Sequence, residues 1–260
     1  MAFLLETKNV CKYFGGLKAV ENVSIQVERG HIYGIIGPNG AGKTTFFNVL
    51  TGTRQATSGE VLFKGQTITS LTPEKVSRLG IARTFQNIKL FKYMSVLDNV
   101  KIGFHTQTHS RFWDAICHTA TYRKDEALAN ERGMAVLKRV GLADVAAELA
   151  CNLPYGTQRR LEIARALATN PDLLLLDEPA AGMNPAETAG LIEFIRQLNR
   201  EGLSIIVIEH DMKLIMNVCH RITVLNHGEK ICEGAPGEVQ CDQNVIEAYL
   251  GKGSIAQQNA

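Results

Sequence analysis

Residues 37–44 read Gly-Pro-Asn-Gly-Ala-Gly-Lys-Thr, and this octet constrains the chain more than any other stretch. It fits G-x-x-x-x-G-K-[ST], in which glycines let successive backbone N–H groups curl around phosphate oxygens without Cβ clashes. The flanks suit it. Residues 31–36 (His-Ile-Tyr-Gly-Ile-Ile) are short, apolar and rich in β-branched side chains, as a buried strand is. Residues 44–50 (Thr-Thr-Phe-Phe-Asn-Val-Leu) read as the first turns of a helix, whose N-terminus adds partial positive charge at the same point. Gly37, Pro38, Asn39, Gly40, Ala41, Gly42 and Thr45 are therefore candidate phosphate-cradling positions. Lys43 can reach the β- and γ-phosphates, and Thr44 can offer its hydroxyl to Mg²⁺.

A second element points to hydrolysis as well as binding. Four leucines, Leu173 to Leu176, end in the carboxylates Asp177 and Glu178. A buried parallel strand has this composition, and its C-terminal end lies in the crevice where open α/β sheets bind ligands. Asp177 would hold Mg²⁺, directly or through water. Glu178, one residue on, points differently and can polarise an attacking water. Such general-base assistance is worth about 10²–10⁴ in rate. Gln86 ends a strand at 81–85, where its amide can sense the metal or the water. His210 follows the apolar run 204–208 and can contact the γ-phosphate; a purely structural strand-end histidine is the competing reading.

The chain has 260 residues, enough for one large α/β domain or a core with an appended subdomain. A net charge of +2 gives no nucleic-acid footprint. The longest apolar runs are too short to span a bilayer. The opening Met-Ala-Phe-Leu-Leu-Glu-Thr-Lys lacks the basic and long apolar segments of a signal peptide. A location in the cytosol, or peripheral on the cytosolic face of a membrane, is expected. Six scattered cysteines without C-x-x-C spacing are expected as free thiols, mostly in apolar settings. His105, His109, Cys117 and His118 lie close together but match no standard zinc spacing; a polar helical surface is expected there.

Patterning divides the chain. Residues 3–10 and 21–28 alternate apolar and polar, as half-exposed antiparallel strands do. Residues 59–65 suggest a short strand pair, and 73–79 a helix. From 87 to 165 strand patterns vanish, and helical spacing runs through 96–104, 123–140 and 153–168. Strand, helix, strand, helix and a terminal strand pair then follow from 173 to 233, with one last helix over 238–250. The expected fold is α/β: a P-loop, RecA-like core over 1–86 and 166–250 with an N-terminal antiparallel β subdomain, an inserted α-helical subdomain over 87–165, and a flexible tail over 251–260.

The motifs in this order resemble the ATP-binding subunits of ABC transporters over about residues 5 to 250. The likeness rests on 37–44, on Gln86 in Arg-Thr-Phe-Gln-Asn, on residues 153–167, on Asp177-Glu-Pro and on His210. Within that family, residues 82–91, 177–185, 208–213 and 245–251 look most like the branched-chain amino acid uptake group. Urea or amide import and lipopolysaccharide export are the alternative systems. A soluble relative acting on DNA or ribosomes would carry coiled-coil or zinc insertions or paired ATPase units, and a P-loop kinase would not carry residues 153–167. The resemblance implies ATP and Mg²⁺ as cofactors and a head-to-tail pair, formed with a second copy or a paralogous ATPase. In that pair Gly156 of one chain meets the nucleotide of the other. An aromatic, Tyr13 or better Phe14, would stack on adenine. Two transmembrane permease subunits are implied, docked near Gln86 and the helical insertion, with a solute-binding protein as an indirect partner and no nucleic acid. Two departures stand out. The usual Leu-Ser-Gly-Gly-Gln signature reads Leu153-Pro-Tyr-Gly-Thr here, so Pro154 removes a hydroxyl. Asn184 replaces the aspartate of many relatives.

Overall fold

The computed structural model describes residues 3–107, 119–210 and 212–250. The chain forms two compact units, Met1–Ile81 with Leu173–Ala260, and Ala82–Asp172. These boundaries differ by a few residues from the expected 86/87 and 165/166. The expected tail over 251–260, Asp211, and the side chains of the His105, His109, Cys117 and His118 cluster lie outside the described residues.

The first unit holds two sheets. In one, β1 (Leu5–Phe14) pairs antiparallel with β2 (Leu17–Val23), β3 (Gln26–Val27) and β5 (Ser58–Phe63), and β5 turns back into β6 (Gln66–Thr67). The register sets Leu5 opposite Phe63 and Thr7 opposite Val61, all buried, so the apolar alternation read from the sequence is the core-facing row. β1 runs four residues beyond the expected 3–10, and Phe14 stands at its end.

Within this unit the second sheet runs in the order β11-β10-β4-β9-β8. Its strands are β4 (Ile32–Ile36), β8 (Leu173–Asp177), β9 (Ser204–Ile208), β10 (Arg221–Asn226) and β11 (Glu229–Gly234). β4, β8, β9 and β10 are parallel, and β11 closes the edge antiparallel to β10. Every residue of β4, β8 and β9 is buried, which is why these segments read as unbroken apolar runs rather than alternating ones. The helix after the phosphate loop, α1 (Lys43–Leu50), drives Phe46, Phe47, Val49 and Leu50 into a core shared with Leu175, Ile206 and Ile208. α2 (Pro73–Arg78) starts on a proline.

The expected strand 81–85 stops at Arg83 as β7 (Ile81–Arg83). Beyond it, side chains take the backbone groups: Phe85 N–H donates to Glu162, and Phe85 and Gln86 carbonyls accept from Arg159. In the second unit α3 (Val96–Lys101) packs on α4 (Ala120–Arg139) and α5 (Tyr155–Leu167). The expected helix 96–104 tightens to a 3₁₀ turn over Ile102–Gln107. Buried Asn99 ties the segment down: its amide donates to Phe91 and Ser95 carbonyls at 3.0 Å, and its oxygen accepts from Phe91 N–H.

Back in the first unit, α6 (Pro185–Arg200) and α7 (Met212–Val218) follow β8 and β9. The single last helix expected over 238–250 is two, α8 (Pro236–Cys241) and α9 (Gln243–Leu250). Asp242 breaks them because its carboxylate accepts from Asn244 and Val245 N–H, capping the second helix rather than continuing the first. Among the described residues no helix is long and apolar enough to cross a membrane.

The described cysteines are free, but the apolar setting expected for most holds for Cys11 and Cys219, while Cys151 and Cys241 are exposed. Burial pushes the Cys219 thiol up to about 12. Brief maleimide treatment of the native protein at neutral pH should label Cys151 and Cys241 and spare Cys219 until the chain is unfolded, read by peptide mass spectrometry. Ile206→Ala, in the centre of β9, should cost about 2–5 kcal/mol in denaturant unfolding.

Candidate nucleotide site

The phosphate loop is pinned by backbone contacts that exclude side chains. A Cβ on Gly37 would fall 2.1 Å from the Leu225 carbonyl, and one on Gly42 would fall 2.3 Å from that of Ala19. Gly42 caps α1 with φ +97, a conformation open mainly to glycine. Gly228 N–H donates to the Ala41 carbonyl, and Glu21 N–H donates to that of Gly228, so the β10–β11 turn and β2 hold the loop from outside. Lys43 is 7 % exposed. Its ammonium donates to the Gly37 carbonyl at 2.7 Å and the Pro38 carbonyl at 2.9 Å, folded back over the loop it serves. Burial holds this ammonium below its ordinary pKa, opposed by the charges of Glu178 and Asp177.

The loop floors an open cleft of about 650 Å³ lined by Asn39 to Thr45, Phe14, Lys18, Glu178 and His227. Phe14 is 44 % exposed, so its ring is available at the rim rather than packed beneath a strand. The cleft fits a nucleotide: an aromatic face at one side, and N–H groups, a helix N-terminus and a lysine at the other. The donor set suits Mg²⁺. Asp177 and Thr44 offer hard oxygens, and such ions take one or two protein ligands beside substrate phosphates. No group of three or more His, Cys, Asp or Glu suited to a metal occurs among the described residues.

β8 and β9 deliver the acidic side. Asp177 is 2 % exposed and lies opposite Ile208 in register. The next residue, Glu178, donates its N–H to the Ile208 carbonyl at 2.9 Å and takes φ +45. A left-handed backbone at a non-glycine residue costs about 1–3 kcal/mol and persists where the surroundings over-determine it. Glu178 lines the cleft while Asp177 stays buried at the strand end. His210 is exposed, with Nδ1 3.9 Å from Glu178 Oε2 and 3.7 Å from Glu209 Oε2. The structure thus brings together Phe14, residues 37–45, Asp177, Glu178 and His210 in the first unit. Gln86 and Gly156 belong to the second unit.

There, α5 starts at Tyr155 with Pro154 as its cap residue and no side-chain cap. Pro154 therefore sits one position before the first helical turn assumed from the sequence. Gly156 occupies that first turn, where N–H groups have no helical acceptor. The loop bearing Gln86 is fastened to α5 by a buried ion pair. Arg159 Nη1 meets Glu162 Oε2 at 2.8 Å, with side-chain exposures of 0 % and 1 %. Arg159 also donates to Phe85 and Gln86 carbonyls, and Glu162 accepts from Phe85 and Lys89 N–H. Asn184 caps α6 in a reciprocal box with Glu187, a task asparagine performs as well as aspartate.

Sequence reasoning missed Arg159, Glu162, Glu209, Lys18 and His227 as site-supporting residues. For the first two a signal existed: charges at i, i+3 on an otherwise apolar helical face. His227 and Lys18 carried none, since both enter the cleft only through strand pairing.

These features define a P-loop nucleotide-binding cassette. The family model for "ABC transporter" matches residues 20–181, and that for "Branched-chain amino acid ATP-binding cassette transporter" matches residues 229–254. The chain belongs to the ABC transporter ATP-binding family. It is 43 % identical to the high-affinity branched-chain amino acid transport ATP-binding protein LivG of Escherichia coli (strain K12), over 96 % of this chain and 98 % of the relative. It is 42 % identical to the corresponding protein BraF of Pseudomonas aeruginosa, over the same shares. A crystal structure of the ADP conformation of an ABC transporter cassette matches with TM-score 0.84 and 32 % identity, covering 97 % of this chain and 100 % of that one. A dimeric cassette bound to ADP and Pi matches with TM-score 0.74 and 26 % identity, covering 89 % and 98 %.

Arg159→Ala should lower stability by about 3–5 kcal/mol, because it strands the Glu162 carboxylate. Denaturant unfolding checks the size, and faster amide exchange at Phe85 and Lys89 checks the location.

Proposed function

We propose that this chain is the ATP-hydrolysing subunit that powers import of branched-chain amino acids through a membrane ABC transporter. The observation that carries the chemistry is that the phosphate loop and Glu178 line one cleft, with buried Asp177 directly before Glu178 at the end of β8 and its charge acting on Lys43. The family membership and the relatives' names support the substrate class.

In this reading the N–H groups of residues 37–45, including Pro38-flanking Gly37 and Asn39, cradle the phosphates, and Phe14 stacks on the base. Lys43 leaves its carbonyl partners to meet the β- and γ-phosphates. Thr44 and Asp177 would hold Mg²⁺. When bound, Mg²⁺ supplies neutralising charge at the phosphate oxygens. Glu178 accepts the proton of the attacking water, and His210 donates a hydrogen bond to the γ-phosphate. Gly156 presents its N–H to the nucleotide of the partner subunit. Pro154 offers no hydroxyl there, and a hydrogen bond to a charged group is worth about 1.5–3 kcal/mol, so closure is weakened but not abolished. The chain sits on the cytoplasmic face of the inner membrane, beneath two permease subunits and beside a second ATPase subunit. A solute-binding protein delivers cargo on the other side.

Glu178→Gln should retain ATP binding, lower hydrolysis by about 10²–10⁴ and accumulate the closed pair on size exclusion. Wild-type turnover in that variant would remove Glu178 as the base. Lys43→Ala should lose nucleotide binding, measured with a fluorescent ATP analogue; normal affinity would contradict the phosphate-loop role.

A further inference from the structure

Glu209 follows β9 directly and is 1 % exposed, yet the chemistry above gives it no task. A buried carboxylate persists only where donors replace its water. Here the donors come from two different loops. Ala180 N–H, from the loop after β8, reaches Glu209 Oε1 at 2.8 Å. His210 N–H, from the loop after β9, reaches Oε2 at 3.1 Å. The first loop carries Glu178 two residues earlier, and the second carries His210 itself. Both strands already share a fixed register, Asp177 opposite Ile208, with Glu178 N–H on the Ile208 carbonyl. The sheet therefore sets where the loops begin, and Glu209 spans the gap where sheet pairing ends.

We propose that Glu209 is a positioning residue that ties the Glu178 loop to the His210 loop, so that the two groups facing the γ-phosphate are set as one unit. This rests on the reading of Glu178 and His210 given above. The residue type follows from the geometry. Two N–H donors from separate loops need two acceptor oxygens at the end of a long side chain, and a carboxylate supplies both. Glutamine supplies one and sets an NH₂ group against the other donor. Aspartate keeps both oxygens but falls one methylene short.

The test uses the full chain purified with its membrane partners, as Glu209→Gln, Glu209→Asp and Glu178→Gln. Glu209→Gln should lower kcat about ten- to a hundred-fold while KM for ATP and affinity for a fluorescent ADP analogue stay within about twofold, the pattern of a misplaced group rather than lost binding. Amide exchange should rise at Ala180 or His210 and stay unchanged in β4. Glu209→Asp, which keeps the charge and both acceptors, should recover part of kcat. A kcat within about twofold of wild type in Glu209→Gln, with Glu178→Gln slow, overturns the proposal and leaves the catalytic reading standing. Loss of ADP affinity and β4 protection in step with kcat also overturns it, since that marks a general structural role. Normal turnover in Glu178→Gln removes both readings.

Discussion

The site depends on how tightly the phosphate loop is wedged between neighbouring backbones. Leu225 C=O presses on Gly37 and Ala19 C=O on Gly42, at distances no side chain could occupy. These contacts come from β10 and from the segment that opens β2, so the loop's shape is set by two sheets at once. N–H groups already fixed in direction lose little freedom when an anion arrives, which is where preorganised sites gain. Lys43 is held in the same way, on two loop carbonyls.

The parallel strands then solve a second problem, how to give two carboxylates at one sheet edge different environments. β8 and β9 end in register, and each is followed by a glutamate. Glu178 turns out through a left-handed backbone and stays partly exposed, while Glu209 turns in and is sealed by backbone N–H groups. Two chemically identical side chains thus acquire different environments from one step of backbone geometry. The second unit uses a related device: the Arg159–Glu162 pair binds carbonyls and N–H groups of the Gln86 loop, doing with side chains what a strand partner would do with backbone.

Much of this was legible in the sequence because the strongest signals are local. The octet 37–44, the leucine run into Asp177 and the apolar run 204–208 each state their own structure. The first sheet was visible as alternation, though β1 extended to Phe14 because its edge pairing with Leu17 continues past the patterned residues. What escaped depends on contacts distant in sequence. Nothing near Glu209 says that Ala180 will meet it, and nothing near His227 says that a β-turn will face residues 39–45. The strand expected to Gln86 ended at Arg83 because Arg159 and Glu162, more than seventy positions away, claim its backbone. The final helix split at Asp242 because a side-chain cap outweighed helical periodicity, a competition that apolar spacing does not register. Asn184, which stood out as a lost charge, is an intact helix cap.

The most direct test of the account is leucine uptake into proteoliposomes holding the chain with its co-purified membrane subunits and solute-binding protein, with ATP inside or outside the membrane. The account predicts accumulation that requires ATP on the face carrying this chain and that vanishes, together with phosphate release, in Lys43→Ala. Phosphate release without leucine movement, under conditions where another solute or a lipid is carried, would contradict it.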